Sequence, residues 1–172
     1  GCASGTAAQR PVSEALRHDA EAYAEAQGVT LDEAIRRLML QDPVGELGAV
    51  LEEQEPGVFA GLWIEHEPEY RVVVSVTGDE RRIFRRYVRG GPLEEQVEIR
   101  SADVTWEELQ AAQLRTSEIL GLIESRAHTG IDVQENCVLI YADPEALEPR
   151  VEAAGEQLPE PVCFEPYDFP PP

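Results

Sequence analysis

The chain has 172 residues, enough for one ordinary domain or two small ones. Its 34 acidic and 14 basic residues give a net charge of −20, which argues against nucleic acid and anionic membranes as partners and favours a cationic one. Every basic residue is arginine. No apolar run approaches the roughly 20 residues that a membrane-spanning helix needs.

The first residues have the composition of a tether. The chain opens Gly1-Cys2 and stays small and polar to about Gln9, so we expect residues 1–11 to be flexible. A glycine before a cysteine, followed by such a stretch, is typical of the processing site of a bacterial lipoprotein. Lipid on Cys2 would tether the protein to a membrane. We therefore expect an extracytoplasmic location, which is the periplasm or outer envelope for a lipoprotein and the medium for a secreted protein. The alternative is that Gly1 is a cloning remnant and Cys2 is incidental.

Residues 12–57 are predicted to be a helical segment. Apolar residues recur at a helical period, and Thr30 with Glu33 three positions later matches a capping box at a helix start. Asp42-Pro43 resembles a cap followed by proline at the first helical position, which predicts a further short helix.

The pattern then changes to that of strands. Within residues 58–103, the runs Phe59–Ile64 and Arg71–Thr77 are rich in strand formers, residues 79–89 return to a helical spacing, and Val97–Arg100 is a short strand. We call this predicted ββαβ unit the first repeat.

The same order occurs again further along the chain. Thr105 begins a second capping box and a linking helix within residues 104–126. Residues 127–168 then give a hairpin around Gln134-Glu135-Asn136, a helix capped at Asp143, and a last strand, Val162–Phe164. This second repeat predicts an α+β fold of two related three-stranded sheets, each with a helix on one face, joined by a long helix. Residues 169–172 end the chain as a Pro-rich tail.

No residue pattern in the chain indicates catalysis or a cofactor. Glu65-His66-Glu67 is the most suggestive stretch, but no second histidine lies at hairpin or helical spacing, so we interpret it as a solvated hairpin tip without a metal. Cys137 and Cys163 both fall in predicted strands, where they would form a disulfide in an oxidising compartment or remain buried thiols. We therefore predict a protein that is not an enzyme.

One helix concentrates positive charge. The predicted helix 79–89 carries five arginines, either as a docking patch for an acidic partner or as a solvated face neutralised by surrounding acids: Arg81, Arg82, Arg85, Arg86 and Arg89. The composition favours the solvated face, and the docking patch stays open as the alternative.

A family resemblance rests on the order and spacing of several short motifs. They are Phe59-Ala-Gly-Leu-Trp, the Val-rich strand, Leu109-Gln-Ala-Ala-Gln, and Gly130 followed by Asp132, Asn136 and Val138. Over roughly residues 58–142 the chain resembles the pro-region, or propeptide, of alpha-lytic-protease-type bacterial secreted serine proteases.

The resemblance implies a non-catalytic role. In that family the pro-region is an intramolecular chaperone that stabilises the folding transition state of a chymotrypsin-like protease and then remains as a tight inhibitor until it is cleaved. Its second sheet extends a hairpin of the protease, and its end lies in the active-site cleft. Carried over to this chain, the partner-binding elements would be the last strand and the residues after it: Val162, Cys163, Phe164, Glu165, Pro166 and Tyr167.

The chain also departs from that family. It has no serine in a GDSG-like setting and ends in Pro170-Pro171-Pro172, so either a protease lies beyond this sequence or the domain works alone. The alternative function is a stand-alone envelope lipoprotein that serves as a scaffold or interaction module. An exposed edge strand in either sheet could pair with that of a second copy, so we expect a monomer or a weak dimer.

Overall fold

The computed structural model describes residues 12–166 and divides the chain into two compact units at Gly45/Glu46. The tether 1–11 with Cys2, and Tyr167 with the tail 169–172, lie outside the described residues. The first helices are α1 (Glu14–Gln27), α2 (Leu31–Met39) and α3 (Gln41–Gln54), and the unit boundary falls within α3.

The two capping boxes predicted from the sequence differ in the structure. At α2 the Thr30 hydroxyl accepts a hydrogen bond from Glu33 N (3.2 Å), but the Glu33 carboxylate binds Arg36 and Arg37. These arginines lie one helical turn away, so they compete for the carboxylate that a reciprocal box would use. The helix α3 begins at Gln41, one residue before the predicted cap, and places Pro43 in the first turn where a missing N–H costs little.

The first repeat forms a three-stranded sheet with the second strand in the centre. Its strands are β1 (Phe59–Glu65), β2 (Arg71–Val76) and β3 (Val97–Ser101), in the order β1-β2-β3. The hairpin β1-β2 is antiparallel, and β3 returns parallel to β2 after a helical crossover. Residues 72–76 of β2 are buried on both faces of the sheet. The central strand is therefore the core of this repeat.

The crossover helix of the first repeat changes its winding. It starts as α4 (Glu80–Ile83) and continues as a π-helical turn, Phe84–Val88, in which Arg89 N donates to Phe84 O (2.9 Å). The sequence predicted one continuous helix. Ile83 and Val88 are both buried although they lie five positions apart, about 140° around an ordinary α-helix. The wider π turn brings both side chains towards the sheet.

The second repeat has the same topology. Its elements are β4 (His128–Asp132), β5 (Cys137–Tyr141), α6 (Pro144–Ala153) and β6 (Val162–Glu165), in the sheet order β4-β5-β6. Again the first two strands are antiparallel and the last is parallel to the central one. The fold is thus α+β, as the sequence predicted, with two ββαβ repeats.

The helix α5 (Trp106–Leu122) links the repeats and starts with the predicted capping box. Thr105 Oγ1 accepts from Glu108 N, and Thr105 N donates to the Glu108 carboxylate. The helix contacts β1 of the first repeat and β4 and β5 of the second. Its buried Ile119 and Leu120 pack with Ile140 in the core of the second repeat.

Two further contacts join the repeats directly. The Asn136 side chain, at the tip of the second hairpin, accepts hydrogen bonds from Asp103 N and Val104 N and donates to Val104 O, all at 2.9 Å. Gly61 of β1 lies so close to Val133 that an added Cβ would stand 2.9 Å from the Val133 Cβ. The β4–β5 turn therefore packs against the first repeat without space for a side chain at Gly61.

Candidate functional site: the β6 edge strand

The strand β6 is the edge of the second sheet that the sequence analysis assigned to partner binding. Within residues 12–166 it pairs with β5 alone, in parallel register from Val138↔Val162 to Tyr141↔Glu165. The side of β6 that faces away from β5 therefore carries backbone groups with no partner strand among the described residues.

The register decides which backbone groups point outwards. Val138 N donates to Pro161 O (2.9 Å). In a parallel ladder alternate residues of a strand bond to a given neighbour, so residues 161, 163 and 165 face β5. The N–H and C=O groups of Val162 and Phe164 then point to the open edge. Pro166, next in this alternation, has no N–H and ends the run of outward donors.

The side chains of β6 have a different role. Val162 and Phe164 are half-buried and pack against the core cluster of Ile140, Leu147 and Val151. Glu165 and Pro166 are exposed. Of the six residues predicted to contact a partner, Val162 and Phe164 contribute mainly to the core, so they would reach a partner strand through their backbone. Tyr167 lies outside the described range.

A disulfide fastens β6 to the centre of the sheet. It joins Cys137 on β5 to Cys163 on β6, across a Cα–Cα distance of 5.9 Å and 26 positions of sequence. Of the two alternatives that the sequence left open, the structure therefore has the disulfide. Because the bridge uses the face opposite Phe164, the edge strand is held both by packing and by a covalent bond.

Acidic side chains surround the approach to β6. A cavity of about 440 Å³ lies between α6 and β6, and its carboxylates are Glu148, Glu152, Glu156 and Glu160. Glu156 forms an ion pair with Arg115 (2.6 Å). The surface beside the edge strand thus favours a partner with positive charge.

The five arginines of residues 79–89 do not act alike. Arg82 forms a bidentate pair with Glu55 (2.7 and 2.8 Å), and Tyr87 donates to the same carboxylate (2.7 Å). These contacts, with Arg82 the larger cause, lower the pKa of Glu55 to about 2. Arg86 lies over the Tyr87 ring at 5.4 Å from its centroid.

The other three arginines line a cavity. Arg81, Arg85 and Arg89 border a space of about 440 Å³ between the crossover helix and β3. None of the ion pairs among residues 12–166 involves these three. The patch predicted from the sequence therefore divides into a structural arginine, Arg82, and an exposed group of three.

The stretch Glu65-His66-Glu67 has a structural explanation. Glu65 accepts two hydrogen bonds from Arg100 (2.7 and 3.0 Å) and one from Trp63, and the Arg100 contact is the main cause of its lowered pKa. His66 is exposed and packs edge-on with Tyr70. No group of three metal-binding side chains occurs within the part of the chain that is described.

The sequence did not predict the side chains that join the two repeats or link the elements of the first one. These are Glu55, Tyr87, Arg100 and Asn136. Asn136 alone gave a local signal, since asparagine in a hairpin turn tolerates the positive φ of 54° that it adopts. The ion pairs of Glu55 and Arg100 span 27 and 35 positions, so no local pattern identifies them.

Comparisons with known proteins give no family. No family model matches the chain, and no curated protein sequence matches it. The described helices include none that is long and apolar enough to cross a membrane. The resemblance to protease pro-regions therefore remains a prediction that rests on the motifs quoted above.

Proposed function

We propose that this is a non-catalytic extracytoplasmic domain that binds a chymotrypsin-like serine protease by strand addition at β6, as a folding chaperone, an inhibitor or both. The observation that carries the proposal is the open edge of β6, with the backbone of Val162 and Phe164 directed outwards. An extended partner segment that pairs with an edge strand gains affinity from main-chain hydrogen bonds.

The fastening of β6 supports this role. Strand addition is favoured when the acceptor edge is already ordered, because less conformational entropy is then lost on binding. The Cys137–Cys163 disulfide and the half-buried Phe164, which packs against the core, both hold the edge in place. Disulfides persist in oxidising compartments, so the bridge also supports an extracytoplasmic location.

The charge near β6 supports a basic partner. Carboxylates line the adjacent cavity, and the whole chain carries a net charge of −20. Such a surface accelerates encounters with a positively charged protein and discourages acidic ones. We therefore expect the preferred protease to have a basic surface around the segment that pairs with β6.

The test is a titration of the purified domain into alpha-lytic-type and other secreted chymotrypsin-like proteases, with inhibition and refolding yield as the readouts. The matched variants are Val162→Pro, which removes an outward N–H, and Val162→Ala, which shortens the same side chain but keeps the donor. We expect Val162→Ala to retain most of the effect and Val162→Pro to weaken it at least about tenfold.

The unchanged chain must act at micromolar concentration for the proposal to stand. Circular dichroism and thermal unfolding of both variants separate loss of binding from loss of folding. If the two variants inhibit equally well, the β6 edge is not the binding element. If the unchanged domain has no effect on any such protease, the proposed function is wrong for these targets.

A further inference from the structure

The two repeats carry equivalent grooves with opposite charge. Each groove lies between the crossover helix of a repeat and its last strand, and each has a volume of about 440 Å³. In the first repeat the lining is basic, and in the second it is acidic. The acidic groove is the cavity beside β6 that also favours a basic protease in the proposed function, whereas the basic groove lies on the first repeat, away from β6.

The arginine groove is suited to carboxylates. Arg81 on α4, Arg85 in the π turn and Arg89 just after that turn line the groove together with the apolar side chains of Phe84 and Ile99. All three are exposed, and Glu80 is the one acidic residue in the lining. Guanidinium groups bind carboxylates through paired hydrogen bonds, and an apolar floor strengthens such pairs by excluding water.

The carboxylate groove is its counterpart. Glu148 and Glu152 lie one turn apart on α6, Glu156 follows the end of that helix, and Val151 and Leu158 form apolar lining. Glu156 is already bound to Arg115, whereas Glu148 and Glu152 are exposed and take part in no ion pair among the described residues. The two grooves thus lie at equivalent places in the two repeats and carry opposite charge.

We propose that the arginine groove of one molecule binds the carboxylate groove of a second copy of this chain. The contact joins two different surfaces: made twice about a two-fold axis it closes a dimer, and made once between successive molecules it gives a head-to-tail series. The net charge of −20 opposes any association, but charge repulsion beyond a Debye length of roughly 8 Å is screened at physiological ionic strength. The complementary charges act within that distance.

Charge reversal separates this contact from general repulsion. Arg81→Glu with Arg85→Glu reverses the basic groove, and Glu148→Arg with Glu152→Arg reverses the acidic one. The second variant carries less net negative charge, so a general-repulsion account predicts stronger self-association for it. The groove contact predicts weaker association for both variants, by at least about tenfold in the dissociation constant.

The measurement is sedimentation velocity of the full chain up to about 1 mM, the weak limit of specific association. We expect the unchanged chain to associate, each variant alone to be monomeric, and an equimolar mixture of the two to associate again. Arg86→Glu, on the same helix but outside the groove, is the matched control and should associate like the unchanged chain. Circular dichroism establishes that every variant is folded.

Three results would overturn the proposal. The first is an unchanged chain that stays monomeric throughout the concentration series. The second is a Glu148→Arg, Glu152→Arg variant that associates as well as or better than the unchanged chain. The third is a mixture of the two reversed variants that remains monomeric, because complementary grooves are then present and do not bind.

Discussion

The two repeats share one topology but are fastened by different chemistry. In the first, ion pairs cross between elements: Glu65 binds Arg100 from β1 to β3, and Glu55, just after the end of α3, binds Arg82 of the crossover helix. In the second, the disulfide between Cys137 and Cys163 joins the central strand to the edge.

The difference shows that the sheet topology and the side-chain contacts that hold each sheet together depend on different residues. Alternating apolar strands, a crossover helix and turn residues are enough to give the same sheet order twice. What holds the last strand in place then follows from individual side chains. The stability of the first repeat should therefore depend mainly on pH, and the stability of the second mainly on whether its disulfide is reduced.

The largest effect is expected at the joint between the repeats. Asn136→Ala removes three hydrogen bonds to the segment before α5 and places alanine at a φ of 54°. At about 1 kcal/mol for each bond and a similar cost for the left-handed backbone, we expect a loss of about 4 kcal/mol in the free energy of unfolding. Urea unfolding measures it.

Asn136→Gly is the matched control for this joint. Glycine accepts the positive φ, so this variant should lose about 1 kcal/mol less than Asn136→Ala while lacking the same hydrogen bonds. If both variants unfold like the unchanged chain, the hydrogen bonds of Asn136 do not hold the two repeats together.

Removing the disulfide comes next in size. Cys137→Ala with Cys163→Ala opens a loop of 26 positions, for which the chain-entropy model gives about 3.5 kcal/mol. Native-state hydrogen exchange should show this loss at amides of β5 and a smaller one at amides of β2. Equal losses in β2 and β5 would contradict separate fastening and indicate that the repeats unfold as one.

The smallest effect concerns the Glu55 ion pair. Contacts with Arg82 and Tyr87 lower the pKa of Glu55 to about 2, so its contribution is complete above the unfolded pKa of about 4.3 and is lost as the pH falls towards 2. Arg82 is 38% exposed, and solvent screening limits the contribution to about 1 kcal/mol.

Glu55→Gln isolates this contribution. The difference in unfolding free energy between the unchanged chain and the variant should be constant above about pH 5 and shrink below it. Glu53→Gln, two positions earlier in the last turn of α3, is the control and should leave stability unchanged, because Glu53 is exposed. A difference that does not change between pH 5 and pH 2 would contradict the assigned role of Glu55.

Local patterns in the sequence were enough for the elements of both repeats. Strand-forming runs, the Thr105 capping box and the spacing of turns predicted the repeated order, which the structure confirms as an α+β fold. The π turn at Phe84–Val88 was missed because burial of Ile83 and Val88 together depends on the sheet beneath them. Tertiary packing overrides the local helical period there.

The candidate site was predictable only in part. The resemblance to protease pro-regions indicated β6, but the outward direction of the Val162 and Phe164 backbone follows from the register with β5. The division of the arginine cluster depends on Glu55, which lies 27 positions from Arg82. Long-range pairings of this kind leave no local trace in a single sequence.

Hydrogen exchange of the domain with and without a bound chymotrypsin-like protease tests the central claim most directly. If the protease adds a strand to β6, the outward amides of Val162 and Phe164 become protected on binding, while amides of β2 in the first repeat stay as they were. A tight complex in which the exchange of Val162 and Phe164 is unchanged would contradict strand addition at β6.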